Sequence, residues 1–163
     1  MVDLLALTEE LCAIPSVSGD EQSLADDIES RLRSVASSLR VERVGNNVMA
    51  RTDRGLERRV VLGGHLDTVP PNGNSEPQRK GDVLHGLGSA DMKGGLAVLL
   101  DLAARASVQS TRHDVTFVFY EGEEVADEHN GLRRLFAERR DLVAGDLAVL
   151  LEPTAGWVEA GCQ

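Results

Sequence analysis

A chain of 163 residues with 42% hydrophobic content is long enough for one compact domain with its own core. Its 27 acidic residues against 17 basic ones give a formal net charge of −10, which argues against nucleic acid or an anionic membrane surface as partners, since both require a cationic face. No apolar run approaches the roughly 18 residues of a membrane span, and the N-terminal stretch lacks the basic start of a signal peptide, so a cytoplasmic protein is expected. Cys12 and Cys162 are the only cysteines and lie at opposite ends of the chain, so free thiols are expected rather than a disulfide framework or a thiolate metal site.

Leu4, Leu7 and Leu11 recur at helical spacing up to Pro15, which predicts a first helix over roughly residues 2–13. Ser18 followed by Glu21 reads as a capping box, opening a second helix with an apolar stripe of Leu24, Ile28, Leu32, Val35 and Leu39. Val41 to Val44 and Val48 to Thr52 flank the turn signal Gly45-Asn46-Asn47 and predict two short paired strands. Residues 59–63 (RVVLG) read as a buried strand, and a Pro- and Gly-containing loop leads to a short strand near Val83-Leu84. Helical spacing returns from Gly94 to Ala106, and Asp114 to Tyr120 (DVTFVFY) is the strongest strand signal in the chain. A helix near 130–139 and an aliphatic strand at 146–151, expected to be buried, complete an α/β alternation. The stretch from Trp157 to Gln163 resembles the start of a further strand without a polar tail, which suggests a fragment.

Chemistry-bearing residues gather at the strand ends. RVVLG runs into Gly64-His65-Leu66-Asp67, DVTFVFY into Glu121-Gly122-Glu123-Glu124, and the third aliphatic strand into Glu152-Pro153, with Asp91 just ahead of a helix. Ligand crevices of open α/β sheets lie outside the carboxyl ends of the strands, so these residues can converge. One His with several carboxylates and no thiolate suits zinc, manganese or cobalt in a hydrolytic site, where a carboxylate can bridge two ions. Asp67, two residues after His65, can accept the second ring N–H of that histidine, and the doublet permits one Glu to bind metal while the other acts as general base. Gly86-Leu87-Gly88-Ser89-Ala90-Asp91 mimics a dinucleotide fingerprint but places Asp91 at its third glycine, where an anion would repel pyrophosphate. His85, His113 and His129 sit in no recognisable ligand motif.

GGHLDTVP at 63–70, ADMKGG at 90–95, YEGEE at 120–124 and EPT at 152–154 together resemble the M20 family of metallopeptidases and deacylases, and the likeness covers essentially the whole chain. The resemblance implies a zinc-peptidase-like catalytic domain, a mixed, largely parallel sheet flanked by helices, here incomplete at its C-terminus. By motif position it makes His65, Asp91 and Glu152 ligands of a first zinc, Asp91 the bridge, Glu124 a ligand of a second zinc and Glu123 the base; Glu123 and Asp67 are the catalytic residues expected, Asp67 through its hold on His65. It implies two Zn2+, with Co2+ or Mn2+ as substitutes, and a cis peptide at Asp91-Met92. His85 and Leu87 stand where many relatives carry Tyr and Arg, which bears on local loop contacts only. The reaction implied is amide hydrolysis of a small-molecule substrate, N-succinyl-LL-2,6-diaminopimelate, on the strength of FYEGEE, Asn130-Gly131-Leu132 and EPTAGWVEAGCQ. Other family deacylases, such as those acting on acetylornithine, and a non-catalytic metal-binding domain remain as alternatives. A late His for the second zinc and a lid domain carrying dimer contacts lie outside these residues, so the full-length protein is expected to be a homodimer and the isolated 163 residues inactive. Contacts to the substrate are left unassigned.

Overall fold

Period-two alternation on the central strand decides the architecture, because each face of that strand feeds a different core. A computed structural model describes residues 2–35 and 38–161. Strand β6 (Asp114–Tyr120) turns Phe117 and Phe119 to one face and Val118 and Tyr120 to the other, all buried. The first pair joins Leu11, Leu24, Ile28, Leu32, Leu96 and Leu99 of α1 (Leu4–Cys12), α2 (Gln22–Val35) and α3 (Lys93–Val108). Val118 and Tyr120 pack with Leu135 of α4 (Gly131–Glu138) and with Leu142 and Val143 of α5 (Arg140–Val143). Helices therefore cover both faces of one sheet, as expected for a layered α/β fold.

The sheet order is β1-β2-β6-β3-β7, with β1 at Arg40–Val44, β2 at Asn47–Arg51, β3 at Arg59–His65 and β7 at Leu147–Leu150. It is mixed. β6, β3 and β7 run parallel, whereas β1 with β2 and β2 with β6 are antiparallel. Because β3, β6 and β7 share one direction, their carboxyl ends open at the same edge. A separate hairpin of β4 (Gln78–Lys80) and β5 (Val83–His85) stands outside this sheet. No helix among the described residues is long and apolar enough to cross a membrane.

Several sequence expectations need correction. The strand expected to be buried at 146–151 is the sheet edge, with Leu147, Val149 and Leu150 exposed. Ser18 is not a helix cap: α2 begins at Gln22, Glu21 accepts the Gly19 amide at 2.9 Å, and the Ser18 hydroxyl turns elsewhere. The stripe of α2 ends at Leu32, since Val35 is exposed and Leu39 enters the core from beyond the helix. Gln78–Lys80, read as loop, pairs with β5. No strand forms over 157–161, and Cys162 and Gln163 lie outside the described residues. Cys12 is buried and free.

Candidate metal centre

Parallel register brings the strand ends together. His65 lies opposite Tyr120 and Gly63 opposite Leu150, so the residues that follow β3, β6 and β7 emerge side by side. The Leu66 amide donates to Tyr120 O at 2.7 Å and the Leu151 amide to Gly63 O at 2.9 Å, carrying the alignment one step past the strands. Asp91 arrives by a different route. Gly64 offers no side chain, and a Cβ there would meet Leu96 Cδ2 at 3.1 Å and Leu99 Cδ1 at 3.2 Å. This bare spot lets α3 settle against β3, where Met92 Sδ receives the His65 amide at 3.1 Å. The Asp91-Met92 peptide is cis. Asp91 Oδ1 then sits 2.9 Å from His65 Nε2.

His65 is the centre of the cluster and is buried. Its Nδ1 lies 2.9 Å from the backbone oxygen of Asp67, an atom that can only accept, so Nδ1 carries the hydrogen and Nε2 faces the carboxylates. This corrects the sequence expectation in one detail: the Asp67 carboxylate is farther from Nδ1, at 3.5 Å, than the Asp67 carbonyl is. Glu152 Oε2 stands 3.7 Å from Nε2. Burial is the largest influence on the ring and pushes its pKa down, but the hydrogen bonds to Asp67 and Asp91 and the charges of Glu152 and Asp67 together raise it to about 9.

The Asp67 carboxylate, fully buried, is occupied by other donors. Oδ1 accepts the Glu123 amide at 2.9 Å, and Oδ2 accepts the Glu124 amide at 2.9 Å and the Ser18 hydroxyl at 2.7 Å. Gly122, at φ +70°, turns the chain so that these two successive amides present themselves to one anion. Burial pushes the Asp67 carboxyl upward, yet His65 and the three donors prevail and hold it well below the ordinary carboxylate range. Farther back, Asn47 steadies the same loop, accepting the Glu121 amide at 3.1 Å and donating to Glu121 Oε1 at 2.8 Å.

Sequence reasoning missed three participants. Ser18, which matches a capping pattern in the sequence, donates to Asp67 instead. Tyr120 is buried, donates to Glu152 Oε1 at 3.4 Å and meets the His65 ring edge-on at 6.2 Å. Lys93 is buried with its Nζ 2.6 Å from Ile14 O; desolvation lowers its pKa to about 8. An apolar-looking strand end and a motif lysine gave no signal of these contacts. The remaining histidines stay away from His65: His85 is on the outer hairpin, His113 lines a groove with Arg58 and Arg112, and His129 pairs with Glu128 at 3.6 Å.

The donor set fits a divalent cation. Ligand atoms of His65, Asp91 and Glu152 lie within 4.8 Å of one another, as do those of His65, Glu123 and Glu124. Two donors on one tetrahedral zinc are separated by roughly 3.3 Å, within the span of 2.9 to 3.7 Å seen around Nε2. Among the described residues no Lys or Arg pairs with Asp91, Glu123, Glu124 or Glu152. Burial, with Asp91 and Glu123 nearby, pushes Glu124 upward despite the opposing pull of His65. Glu152 is raised in the same way, burial again leading. Crowded carboxylates of this kind gain from a cation that replaces the missing counter-charge.

Succinyl-diaminopimelate desuccinylase of Corynebacterium glutamicum is 48% identical over 163 residues, a match covering 99% of this chain and 44% of that protein. The chain thus spans less than half the length of that relative. The M20 family metallo-carboxypeptidase Sso-CP2 of Sulfolobus solfataricus superposes with a TM-score of 0.74 at 17% identity, over 92% of this chain and 37% of its own. Human carnosine dipeptidase 1 does so with a TM-score of 0.73 at 21% identity, over 91% and 38%; both share the fold. The profile of Peptidase family M20/M25/M40 matches residues 61–162, which include His65, Asp91, both glutamates of the doublet and Glu152, and the chain belongs to that family.

Proposed function

We propose that the protein carrying this chain is a metal-dependent amide hydrolase acting on N-succinyl-LL-2,6-diaminopimelate, releasing succinate and LL-2,6-diaminopimelate. The observation that carries the reading is the convergence of His65, Asp91, Glu152 and the Glu123-Glu124 doublet at one sheet edge, in a chain 48% identical to a protein named for that reaction. His65, Asp91 and Glu152 would hold one Zn2+, and Asp91 with Glu124 a second, completed by a histidine outside these residues; Co2+ or Mn2+ are the substitutes this donor chemistry admits. When bound, the ions supply Lewis acidity, polarising the amide carbonyl and bringing the pKa of an adjacent water toward about 7. Glu123 is the exposed member of the doublet and takes the proton of the attacking water, then delivers it to the leaving nitrogen. Asp67 holds the backbone of both glutamates and, through its carbonyl, the ring of His65. We extend the reading to a cytoplasmic homodimer assembled through a lid domain outside these residues, which sedimentation of the full-length protein would test.

Glu123→Gln in the full-length protein is expected to retain its metal while turnover falls by about 10²–10⁴-fold. Near-normal turnover would remove Glu123 from the role of base. Parallel assays on N-succinyl-diaminopimelate and acetylornithine test the substrate: preference for the second would assign the chain to another deacylase of the family.

A further inference from the structure

The segment between α1 and α2 contributes no metal-ligand candidate, yet it is fastened to the centre at every step. Lys93 Nζ donates to Ile14 O at 2.6 Å, Ser16 Oγ to Leu66 O at 2.8 Å, and the Thr68 amide to Ser16 O at 2.9 Å. Val17 bridges Thr68, and the Ser18 amide donates to Thr68 O at 3.1 Å. The side-chain bonds of Lys93 and Ser16 tie down the start of the segment, and the backbone bonds to Thr68 on either side of Val17 fix where the Ser18 side chain points. Its hydroxyl donates to Asp67 Oδ2 at 2.7 Å, in preference to Thr68 O at 3.5 Å. The other two close donors on that carboxylate are the amides of Glu123 and Glu124.

We propose that Ser18 is a positioning residue of the hydrolytic centre, acting through Asp67 to fix the backbone of the Glu123-Glu124 doublet; this rests on the hydrolase reading given above. The physical reason is that a carboxylate held only by two amides of one loop shifts with any shift of that loop. A third donor, anchored on a separate and multiply tied segment, removes that freedom. Oδ2 carries both the Ser18 hydroxyl and the Glu124 amide, so loss of the hydroxyl frees Oδ2 to follow the loop. Base and ligand are adjacent in sequence, and a shift of their common backbone displaces both.

The test compares Ser18→Ala, Ser18→Thr and Ser16→Ala in the full-length, metal-loaded protein. Ser18→Ala is expected to lower kcat by about 10–100-fold while KM stays within about twofold. Amide exchange of the peptide over residues 121–126, measured without metal, is expected to accelerate. Ser18→Thr keeps the hydroxyl and restores both. Ser16→Ala removes a bond of the same segment to Leu66 O but none to Asp67, and is expected to lower Tm without the loss in kcat. Unchanged kcat or unchanged exchange in Ser18→Ala overturns the proposal, as does an equal kcat loss in Ser16→Ala. A wild type without activity on any N-acyl amino acid would defeat the hydrolase reading, while the exchange measurement would still decide whether Ser18 holds the doublet.

Discussion

Replacing Asp67 by Asn isolates the charge of the buried carboxylate from its shape. In the less costly orientation the amide oxygen keeps the place of Oδ1 and continues to accept the Glu123 amide, while the NH2 group takes the place of Oδ2. Ser18 can adapt, because its hydroxyl turns from donor to acceptor. The Glu124 amide cannot adapt, since it then faces a donor. An orphaned amide costs about 1–3 kcal/mol, and turning the Glu123 bond from charged to neutral costs about 1 kcal/mol more, for a total near 3 kcal/mol. A loss of that size lowers Tm by about 6–12 °C in a domain of this length. Urea unfolding and calorimetry of the metal-free protein measure it, and metal titration should show about 10–100-fold weaker binding. Stability within about 1 kcal/mol of wild type, with unchanged metal affinity, would refute Asp67 as the organiser of the doublet.

Asp114 offers the pH test at the opposite end of β6, where it accepts the Thr52 hydroxyl at 2.7 Å and the amides of Arg54 and Leu56 at 3.0 and 2.9 Å. Burial pushes its carboxyl up, but these donors and Arg59 hold it below its ordinary value. A depressed folded-state pKa stabilises fully above the unfolded value near 4 and loses its effect as pH falls through the folded value. Asp114→Asn is therefore expected to cost about 3 kcal/mol at pH 7, and that gap, followed by urea unfolding, should narrow below about pH 4. Gly64→Ala drives a methyl toward Leu96 and Leu99; we expect a loss of about 1–3 kcal/mol and reduced metal uptake as Asp91 is displaced from His65. Glu152→Ala should weaken one metal and leave most of the fold intact, so an unchanged metal stoichiometry by elemental analysis would remove it from the ligand set.

Periodicity made the central architecture legible. DVTFVFY carries its two-faced burial in the order of its residues, and observed β6 has the bounds read from the sequence. The edge position of β7 was not legible, because a run of Leu-Ala-Val-Leu records aliphatic content and not whether a neighbour lies on its far side. Ser18 failed for a related reason. Ser-x-x-Glu satisfies the local capping pattern, but the backbone around Ser18 is tied to Thr68, which aims the hydroxyl as a donor at a buried carboxylate 49 residues away instead of as an acceptor for the first amides of α2. The convergence of His65, Glu123, Glu124 and Glu152 could be anticipated from strand ends, whereas the approach of Asp91 depends on what Gly64 lacks.

The acidic residues at this edge divide into two kinds, and the division separates frame from ligand set. Asp67 is fully buried and charged, and three donors with His65 beside them meet its charge. A carboxylate so satisfied has little left to offer a metal and serves instead to hold backbone in place. Asp91, Glu123, Glu124 and Glu152 have no Lys or Arg partner among the described residues and crowd one another across His65. Their mutual repulsion is tolerable because the four are fixed to three separate structural origins: Asp91 to the turn before α3, Glu123 and Glu124 to the loop after β6, and Glu152 to the end of β7. Rigid backbone thus keeps in register a set of charges that would otherwise spread apart, and a cation entering between them meets donors already close to one another.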